Sequence, residues 1–350
     1  MSRILLLNQG HTDNIGDQAI DAVLSMFLRT RGFDVTSAPY EEYVEGRIQF
    51  TFDRKEILPR AARHMPALMD HWHRNRIRAL LERIEDSGNI DAAVIGGGEL
   101  LAMSHRGFSS TFPIWCEELN KRDIPVFITG VSGDFRPGRN AKRFAHALRT
   151  CTYISVRDLP TERIIRDYYS VDAVYHPDVV FSYTRIFPNT VGTLPRNASL
   201  CIPVRLNAAA YNTLHLADEG AYMDYLAAAL RRERESGTNT PVIVTSTVSS
   251  EKYPEQVAQA LAARGLDAGA RTGLELPEFI DLLNSTGSLL SGRMHACILG
   301  LQYGCDVHPI PYRAKLAAFA SEYGSVSDLD HISDASYAGL EELATRLEVR

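Results

Sequence analysis

One pattern recurs along most of the chain: a short apolar segment, a turn that contains glycine, and then a segment with the apolar spacing of a helix. Residues 4–8 form the first apolar segment, residues 9–17 form a polar loop, and Ile20, Leu24 and Phe27 lie on one face of the helix that follows. Alternating strands and helices predict an α/β domain built on a parallel sheet. The loop lacks the Gly-x-Gly-x-x-Gly pattern, so it does not indicate a dinucleotide site.

The alternation continues far enough to predict two domains of ordinary size. Residues 184–199 contain prolines and asparagines among few apolar residues, which is typical of a linker. A second series of strands and helices follows this stretch. We therefore expect two Rossmann-like domains, residues 1–188 and residues 189–350, that face each other across a cleft.

The strongest candidate for a site follows the apolar pair Leu289-Leu290. Ser291-Gly292-Arg293-Met294-His295 predicts a strand end, a tight turn and the first turn of a helix. A helix N-terminus has free backbone N–H groups and a partial positive charge, so an arginine and a histidine there favour a phosphate or carboxylate. The residues alone leave an alternative open, in which Arg293 pairs with a surface carboxylate and His295 is a buried, hydrogen-bonded histidine.

Other strand ends in the first half also carry polar or glycine residues. Asn14 and Asp17 follow the first strand, where they either cap the next helix or contact a ligand. Gly97 belongs to three consecutive glycines before Glu99, which allow a close approach of either a ligand or a packed helix. Arg157 follows a third strand, where it either contacts a ligand or forms an ion pair that holds a loop.

A basic segment lies between the first strand and the strand that ends at the three glycines. Residues 65–84 predict a helix with several arginines and histidines. Such a helix can contact anionic lipid or a phosphorylated acceptor, or it can present an ordinary solvated face. The sequence leaves these alternatives open.

Charge and cysteine content exclude several classes of protein. The 350 residues include 43 acidic and 37 basic side chains, so a net charge of −6 argues against a nucleic-acid-binding protein. Five scattered cysteines without a Cys-x-x-Cys pair favour a reducing cytoplasm and predict no metal site. No apolar stretch approaches the roughly 20 residues that span a bilayer, so we expect at most peripheral membrane contact.

Six short stretches, taken in order, resemble the polysaccharide pyruvyl transferase family. They are Asn14-Ile15-Gly16-Asp17, Gly96-Gly97-Gly98-Glu99-Leu100, Ser155-Val156-Arg157-Asp158, Pro177-Asp178, Ser291-Gly292-Arg293-Met294-His295 and Tyr312-Arg313-Ala314-Lys315. The resemblance implies a fold of the GT-B type. It also implies transfer of pyruvate from phosphoenolpyruvate onto two hydroxyls of one sugar, which forms a cyclic ketal and releases phosphate during the synthesis of an exopolysaccharide or another cell-envelope glycan. No cofactor is implied beyond this donor.

The resemblance also assigns roles to the candidate residues. His295 is expected to act as the general acid that protonates the methylene carbon of the donor. Phosphoenolpyruvate is expected to bind to Arg293, Met294 and Lys315 in the second domain, around residues 291–315, and to Arg157, directed toward the cleft from the first. The acceptor is expected on the first domain, near Asn14, Asp17, Gly97 and Glu99.

Two other functions stay open at this level. The chain could be a GT-B-type glycosyltransferase or epimerase that uses a nucleotide sugar, or a family member that only binds a polysaccharide or a partner protein. The sequence does not identify the sugar or the two hydroxyls. It also leaves open whether the acceptor is free, polymeric or lipid-linked, and whether the chain forms a homo-oligomer.

Overall fold

The computed structural model describes residues 1–41, 43–44, 47–48, 66–101, 108–133, 141–192, 195–234, 240–323 and 328–349. The chain folds into two compact units. Unit 1 comprises Met1–His11, Ile20–Val179 and Asp334–Arg350, and unit 2 comprises Thr12–Ala19 and Val180–Ser333. The predicted α/β class is confirmed, because each unit is built on a parallel sheet.

Unit 1 contains a six-stranded parallel sheet in the order β2-β1-β5-β6-β7-β8. These strands are β1 (Arg3–Asn8), β2 (Asp34–Pro39), β5 (Ala92–Gly98), β6 (Val126–Val131), β7 (Tyr153–Val156) and β8 (Val174–Tyr175), with a two-stranded hairpin of β3 (Tyr43–Val44) and β4 (Arg47–Ile48). The strand order reverses between β1 and β5, so the carboxyl ends of these two strands form the switch point where open α/β sheets bind ligands.

Helices cover the sheet of unit 1. They are α2 (Pro66–Glu85), α3 (Phe108–Asn120), α4 (Ala141–Thr150), α5 (Leu159–Tyr169), and most of α1 (Ile15–Thr30) and α13 (Leu329–Glu348). All residues of β5 and β6 are buried, which explains why these two strands are continuous apolar and glycine runs. The helix predicted for residues 65–84 is confirmed by α2.

Unit 2 contains a five-stranded parallel sheet in the order β11-β10-β9-β12-β13. These strands are β9 (Ala198–Ile202), β10 (Val242–Val244), β11 (Ala268–Ala270), β12 (Thr286–Ser291) and β13 (Asp306–Pro309). Its helices are α6 (Tyr183–Ile186), α7 (Ala208–Thr213), α8 (Glu219–Arg234), α9 (Tyr253–Ala262), α10 (Leu276–Asn284), α11 (Met294–Gln302) and α12 (Ala314–Tyr323). The order reverses between β9 and β12, which places the switch point of this sheet at the carboxyl end of β12.

Three segments group differently from the division at residues 188 and 189 that the sequence predicts. Residues 180–188 belong to unit 2. Thr12–Ala19 belongs to unit 2, where the Ile15 amide donates a 2.7 Å hydrogen bond to the Thr247 carbonyl. Asp334–Arg350 belongs to unit 1, where the Ser336 hydroxyl donates to the Asp178 carbonyl at 2.9 Å. Both hydrogen bonds join residues that are far apart in sequence, and strand and helix periodicity carries no information about them.

Candidate functional site

The Ser291–His295 stretch lies at the switch point of the unit 2 sheet. β12 ends at Ser291, and the Gly292 amide donates a 2.9 Å hydrogen bond to the Ile202 carbonyl at the end of β9. A Cβ atom on Gly292 would lie 2.9 Å from both methyl carbons of Val204, so only glycine fits this close approach without a shift of Val204. The predicted strand, turn and helix are confirmed, and they place the turn where ligands bind in such sheets.

The N-terminus of α11 is organised by Ser291. Arg293 occupies the position before the first helical residue, with φ −120° and ψ 119°. Its amide donates a 3.0 Å hydrogen bond to the Ser291 hydroxyl oxygen. The amides of the first turn of α11 have no acceptor within the helix and carry the positive end of its dipole. The local structure therefore favours an anion.

The Pro311–Lys315 stretch lies beside this turn. Ser291 pairs with Pro309 in the ladder of β12 and β13, and the Ile310 amide donates to the Ser291 carbonyl at 2.7 Å. α12 then begins at Ala314, with the half-buried Lys315 in its first turn. A lysine at the positive end of a helix is unfavourable for the helix itself and favourable for a bound anion.

The Arg293 guanidinium has an acidic partner. Its Nη2 lies 3.3 Å from Glu251 Oε2, and the two side chains are 32% and 22% exposed. Its Nε is buried and has no hydrogen-bond partner within the part of the chain that the structure describes. Arg293 therefore pairs with a carboxylate, as one alternative predicted, and also keeps a buried N–H group for which a ligand is the natural acceptor.

Glu251 belongs to a polar loop that the sequence patterns did not indicate. Residues 245–251 follow the carboxyl end of β10, and Ser246 donates a hydrogen bond to Glu251 Oε2. The same loop holds the segment 12–19, since Asn14 forms an antiparallel bridge with Val248. The signal available in the sequence was a run of hydroxyl and carboxyl side chains directly after the apolar Val242-Ile243-Val244.

His295 packs against the first turn of α1. A Cβ atom built on Gly16 would lie 2.4 Å from His295 Nδ1 and 3.0 Å from its Cβ and Cγ. The bare backbone of residue 16 therefore forms one wall of the imidazole site. Asn14 fixes this turn, because its Oδ1 accepts a 3.0 Å hydrogen bond from the Gly16 amide.

The sequence predicts that Asn14 and Asp17 lie on the acceptor side, in the first domain. Both residues lie in unit 2, in the segment that contacts His295. Asn14 makes the predicted helix-capping contact, and Asp17 Oδ2 accepts a 3.2 Å hydrogen bond from the Thr12 hydroxyl. Their predicted contact with the acceptor stays a prediction.

Arg157 is held inside unit 1. Its Nη1 lies 2.7 Å from Asp178 Oδ2, and its Nε donates a 3.0 Å hydrogen bond to the Ser132 hydroxyl. The Arg157 and Asp178 side chains are only 3% and 5% exposed. This is the loop-holding ion pair that the sequence left open as an alternative, and it explains why Pro177-Asp178 accompanies Arg157. A role for Arg157 in donor binding stays a prediction.

Gly97 and Glu99 lie at the switch point of unit 1. Gly97 has φ +74°, and a Cβ atom there would lie 2.1 Å from Ile20 Cγ2. Close packing of β5 on α1 therefore accounts for this glycine. Glu99 is exposed just beyond the end of β5. Their predicted roles on the acceptor side stay predictions.

Two arginines of α2, Arg74 and Arg78, form ion pairs with carboxylates. Glu118 lies within 2.6 Å of Arg74 and 2.8 Å of Arg78, and Glu117 pairs with Arg74 and Arg143. Burial alone would raise the pKa of Glu118, but hydrogen bonds from Arg78, Lys121 and Arg74 lower it to about 2. Because these ion pairs neutralise basic side chains of α2, they favour an ordinary solvated face over one that binds anionic lipid. No helix of the described residues is long and apolar enough to cross a membrane.

Solved structures of similar architecture define the fold of the chain. A putative UDP-N-acetylglucosamine 2-epimerase from Listeria monocytogenes is 10% identical, with a TM-score of 0.56 over 99% of this chain and 90% of that chain. The UDP-GlcNAc 2-epimerase from Methanocaldococcus jannaschii is 11% identical, with a TM-score of 0.55 over 99% and 100%. A UDP-glucosyltransferase from Polygonum tinctorium is 10% identical, with a TM-score of 0.53 over 99% of each chain. At this identity the likeness shows the fold alone, and that fold is the GT-B type.

The family follows from the sequence itself. A model of the polysaccharide pyruvyl transferase family matches residues 14–313, and the chain belongs to this family. Among curated proteins no sequence matches the chain.

Proposed function

We propose that the chain transfers pyruvate from phosphoenolpyruvate onto two hydroxyls of a sugar in a polysaccharide or its precursor, and that the donor binds at the N-terminus of α11. The observation that carries this proposal is the buried Nε of Arg293, which has no hydrogen-bond partner among the described residues, beside a helix N-terminus with His295 two residues further on. Membership of the pyruvyl transferase family supports the type of group transferred.

Phosphoenolpyruvate suits the charges of this site. It carries a carboxylate and a phosphate on adjacent atoms of one small molecule, so it needs more than one cationic anchor. Arg293 offers directed N–H groups, α11 offers first-turn amides, and Lys315 adds a second charge near the adjoining strand end. We also propose that Arg157 helps to bind phosphoenolpyruvate. Its Nη1 pairs with Asp178.

The proposed reaction balances without a cofactor. His295 donates a proton to the methylene carbon, which becomes a methyl group, and the first sugar hydroxyl forms a bond to the neighbouring carbon. The bond between that carbon and the phosphate oxygen then breaks, and phosphate leaves with the electron pair. The second hydroxyl closes the ketal ring. Of the two hydroxyl protons, one restores the imidazolium of His295 and the other leaves with phosphate.

The cysteines support a cytoplasmic location for this reaction. All five, Cys116, Cys151, Cys201, Cys297 and Cys305, are free thiols. Free thiols are expected in a reducing compartment. The acceptor is proposed to be a sugar that is either free or carried on a lipid-linked or polymeric glycan.

Release of phosphate tests the proposal. The protein is incubated with phosphoenolpyruvate and a panel of methyl glycosides, and the ketal methyl group is detected by NMR. We expect phosphate release that requires both substrates, is lost in His295→Ala and is unchanged in His331→Ala, which alters an exposed histidine. Normal turnover in His295→Ala would refute the acid assignment, and absence of a ketal with every sugar would count against the transfer itself.

The names of the solved neighbours favour a second candidate. Several are named for UDP-sugars, so a nucleotide-sugar transferase or epimerase is the alternative function. It predicts saturable binding of a UDP-sugar that phosphoenolpyruvate does not compete with.

A further inference from the structure

Unit 1 contains a group of polar side chains at the carboxyl edge of its sheet that the donor site does not use. His11 follows β1 by three residues, and Glu41 follows β2 by two. Trp72, His73 and Arg76 contribute from α2. We refer to these five residues as the histidine cluster. It lies at the end of the sheet where open α/β folds bind ligands, beside the switch between β1 and β5.

Direct contacts join Glu41, His73, Trp72 and Arg76, and His11 interacts electrostatically with Arg76 and Glu41. His73 Nδ1 lies 3.2 Å from Glu41 Oε2, and both side chains are 0% exposed. Thr111 donates a hydrogen bond to the same carboxylate oxygen. The ring centroids of Trp72 and His73 are 4.9 Å apart, and the Arg76 guanidinium carbon lies 5.8 Å from the Trp72 ring centroid. A carboxylate so completely removed from water is costly unless it is well paired, and hydrophobic residues would fill the space at least as well.

Several polar atoms of the histidine cluster lack partners. His73 Nε2, Trp72 Nε1 and both ring nitrogens of His11 are buried, and none has a hydrogen bond to any part of the chain that the structure describes. His73 and Trp72 are more than nine-tenths buried. Buried polar atoms are nearly always hydrogen-bonded, so these four atoms in three side chains indicate a partner beyond the described residues.

The chemistry of these atoms indicates what that partner offers. Burial and the charge of Arg76 lower the pKa of His73 and of His11 more than the charge of Glu41 raises it, which favours the neutral form of both imidazoles. A neutral imidazole carries one donor and one acceptor. With Nδ1–H donating to Glu41, His73 Nε2 is an acceptor, whereas Trp72 Nε1 is a donor.

A hydroxyl group matches this mixture of donors and acceptors, because it can both donate and accept. An ionised carboxylate or a fully ionised phosphate ester has no proton to donate to His73 Nε2. Among the described residues no group of three or more His, Cys, Asp or Glu side chains is arranged to hold a metal ion.

We propose that His11, Trp72 and His73 form a subsite for the hydroxyls of a sugar ring, and that Glu41 holds His73 in the tautomer that accepts a hydrogen bond from the sugar. The identification of this sugar as the acceptor of pyruvate rests on the proposed function. Glu41 and Thr111 are positioning residues, because they contact His73 and not the sugar.

The two tryptophans of the chain, Trp72 and Trp115, make the proposal measurable. In a Trp115→Phe variant, the fluorescence of Trp72 alone reports sugar binding. The unmodified protein is titrated in parallel by calorimetry, so that a folding defect in the variant is not mistaken for a loss of binding. The probes are methyl glycosides of glucose, galactose, mannose and their N-acetylamino forms. We expect at least one of them to give a saturable change in fluorescence.

Two variants then test the subsite. His11→Ala alters a half-buried side chain, and Trp72→Phe removes one donor but keeps an aromatic ring. Sugar affinity of both variants is measured by calorimetry, because Trp72→Phe removes the indole reporter. Loss of one hydrogen bond predicts about 10-fold weaker sugar binding in each. Binding of phosphoenolpyruvate is expected to stay unchanged in both. Equal sugar affinity in the variants, or no saturable binding of any glycoside, would overturn the subsite and leave buried water as the occupant.

The outcomes separate this subsite from the proposed function. Sugar binding that depends on His11 and Trp72, without any ketal product, would support the subsite and count against pyruvyl transfer. Ketal formation with an unchanged KM for the sugar in both variants would refute the subsite and would still support pyruvyl transfer.

Discussion

Gly16→Ala tests the contact between the first turn of α1 and His295. The added methyl carbon would lie 2.4 Å from His295 Nδ1, whereas ordinary contacts begin at 3.4 Å. The imidazole must therefore move by about 1 Å, which is the difference between these two distances. The backbone amide of residue 16 is held by its hydrogen bond to Asn14 Oδ1, so we expect the His295 side chain to move.

The magnitude follows from two opposing effects. Overpacking of this size costs about 1–3 kcal/mol. Alanine is a better helix former than glycine by at most about 1 kcal/mol, which offsets only part of that cost. A displacement of about 1 Å in a catalytic group lowers a rate by roughly 100-fold. We therefore expect Gly16→Ala to lose stability modestly and to lose most of its kcat.

Gly269→Ala is the matched control for this prediction. Gly269 lies in β11 of the same unit, and no described atom lies within 4 Å of the position that its Cβ would take. Phosphate release and urea unfolding are measured for both variants. If Gly16→Ala had a normal kcat and were as stable as the wild type, the imidazole would not be confined by residue 16 and its placement as the catalytic acid would lose its structural basis.

Three further predictions concern charged pairs. Glu251→Ala should raise the KM for phosphoenolpyruvate by a larger factor than it lowers kcat, because Arg293 loses the carboxylate that orients it. Glu251→Gln should largely restore the KM. Equal factors for KM and kcat in steady-state kinetics would contradict this prediction. Asp178→Ala should cost about 3–5 kcal/mol in urea unfolding, because it leaves the buried Arg157 charge without this carboxylate; a loss below about 1 kcal/mol would contradict it. Since the pKa of Glu118 is lowered to about 2, from about 4.3 in an unfolded chain, its stabilisation is complete above the unfolded value and is lost as the pH falls toward 2. Glu118→Gln should therefore flatten acid unfolding between about pH 5 and pH 2, and an unchanged acid transition would be the opposing result.

Local pattern was sufficient to predict the architecture. Apolar runs that end in glycine or polar turns predicted parallel strands, and the stretch after Leu290 predicted the turn and helix that carry Arg293 and His295. These elements are short-range features, because strand and helix periods are set by neighbours within a few residues. The ordered family motifs added the type of reaction, which the structure alone does not supply.

Long-range pairing could not be predicted in the same way. Glu251 and Arg293 are 42 residues apart, and the Gly16 wall of His295 comes from the other end of the chain. Arg157 followed a strand end, which left a ligand contact and an ion pair open, and the carboxylate that pairs with it, Asp178, lies 21 residues further along the chain. The histidine cluster was hidden for a different reason, since His73 belongs to a basic segment whose arginines dominate its sequence pattern.

Calorimetric titration with phosphoenolpyruvate tests the central claim most directly. The wild type is compared with Arg293→Ala and with Arg232→Ala, which alters an exposed arginine on α8 of the same unit. We expect saturable binding in the wild type and in Arg232→Ala, and none in Arg293→Ala. Saturable binding of UDP-N-acetylglucosamine with none for phosphoenolpyruvate, or undiminished phosphoenolpyruvate affinity in Arg293→Ala, would contradict a pyruvyl donor site at the N-terminus of α11.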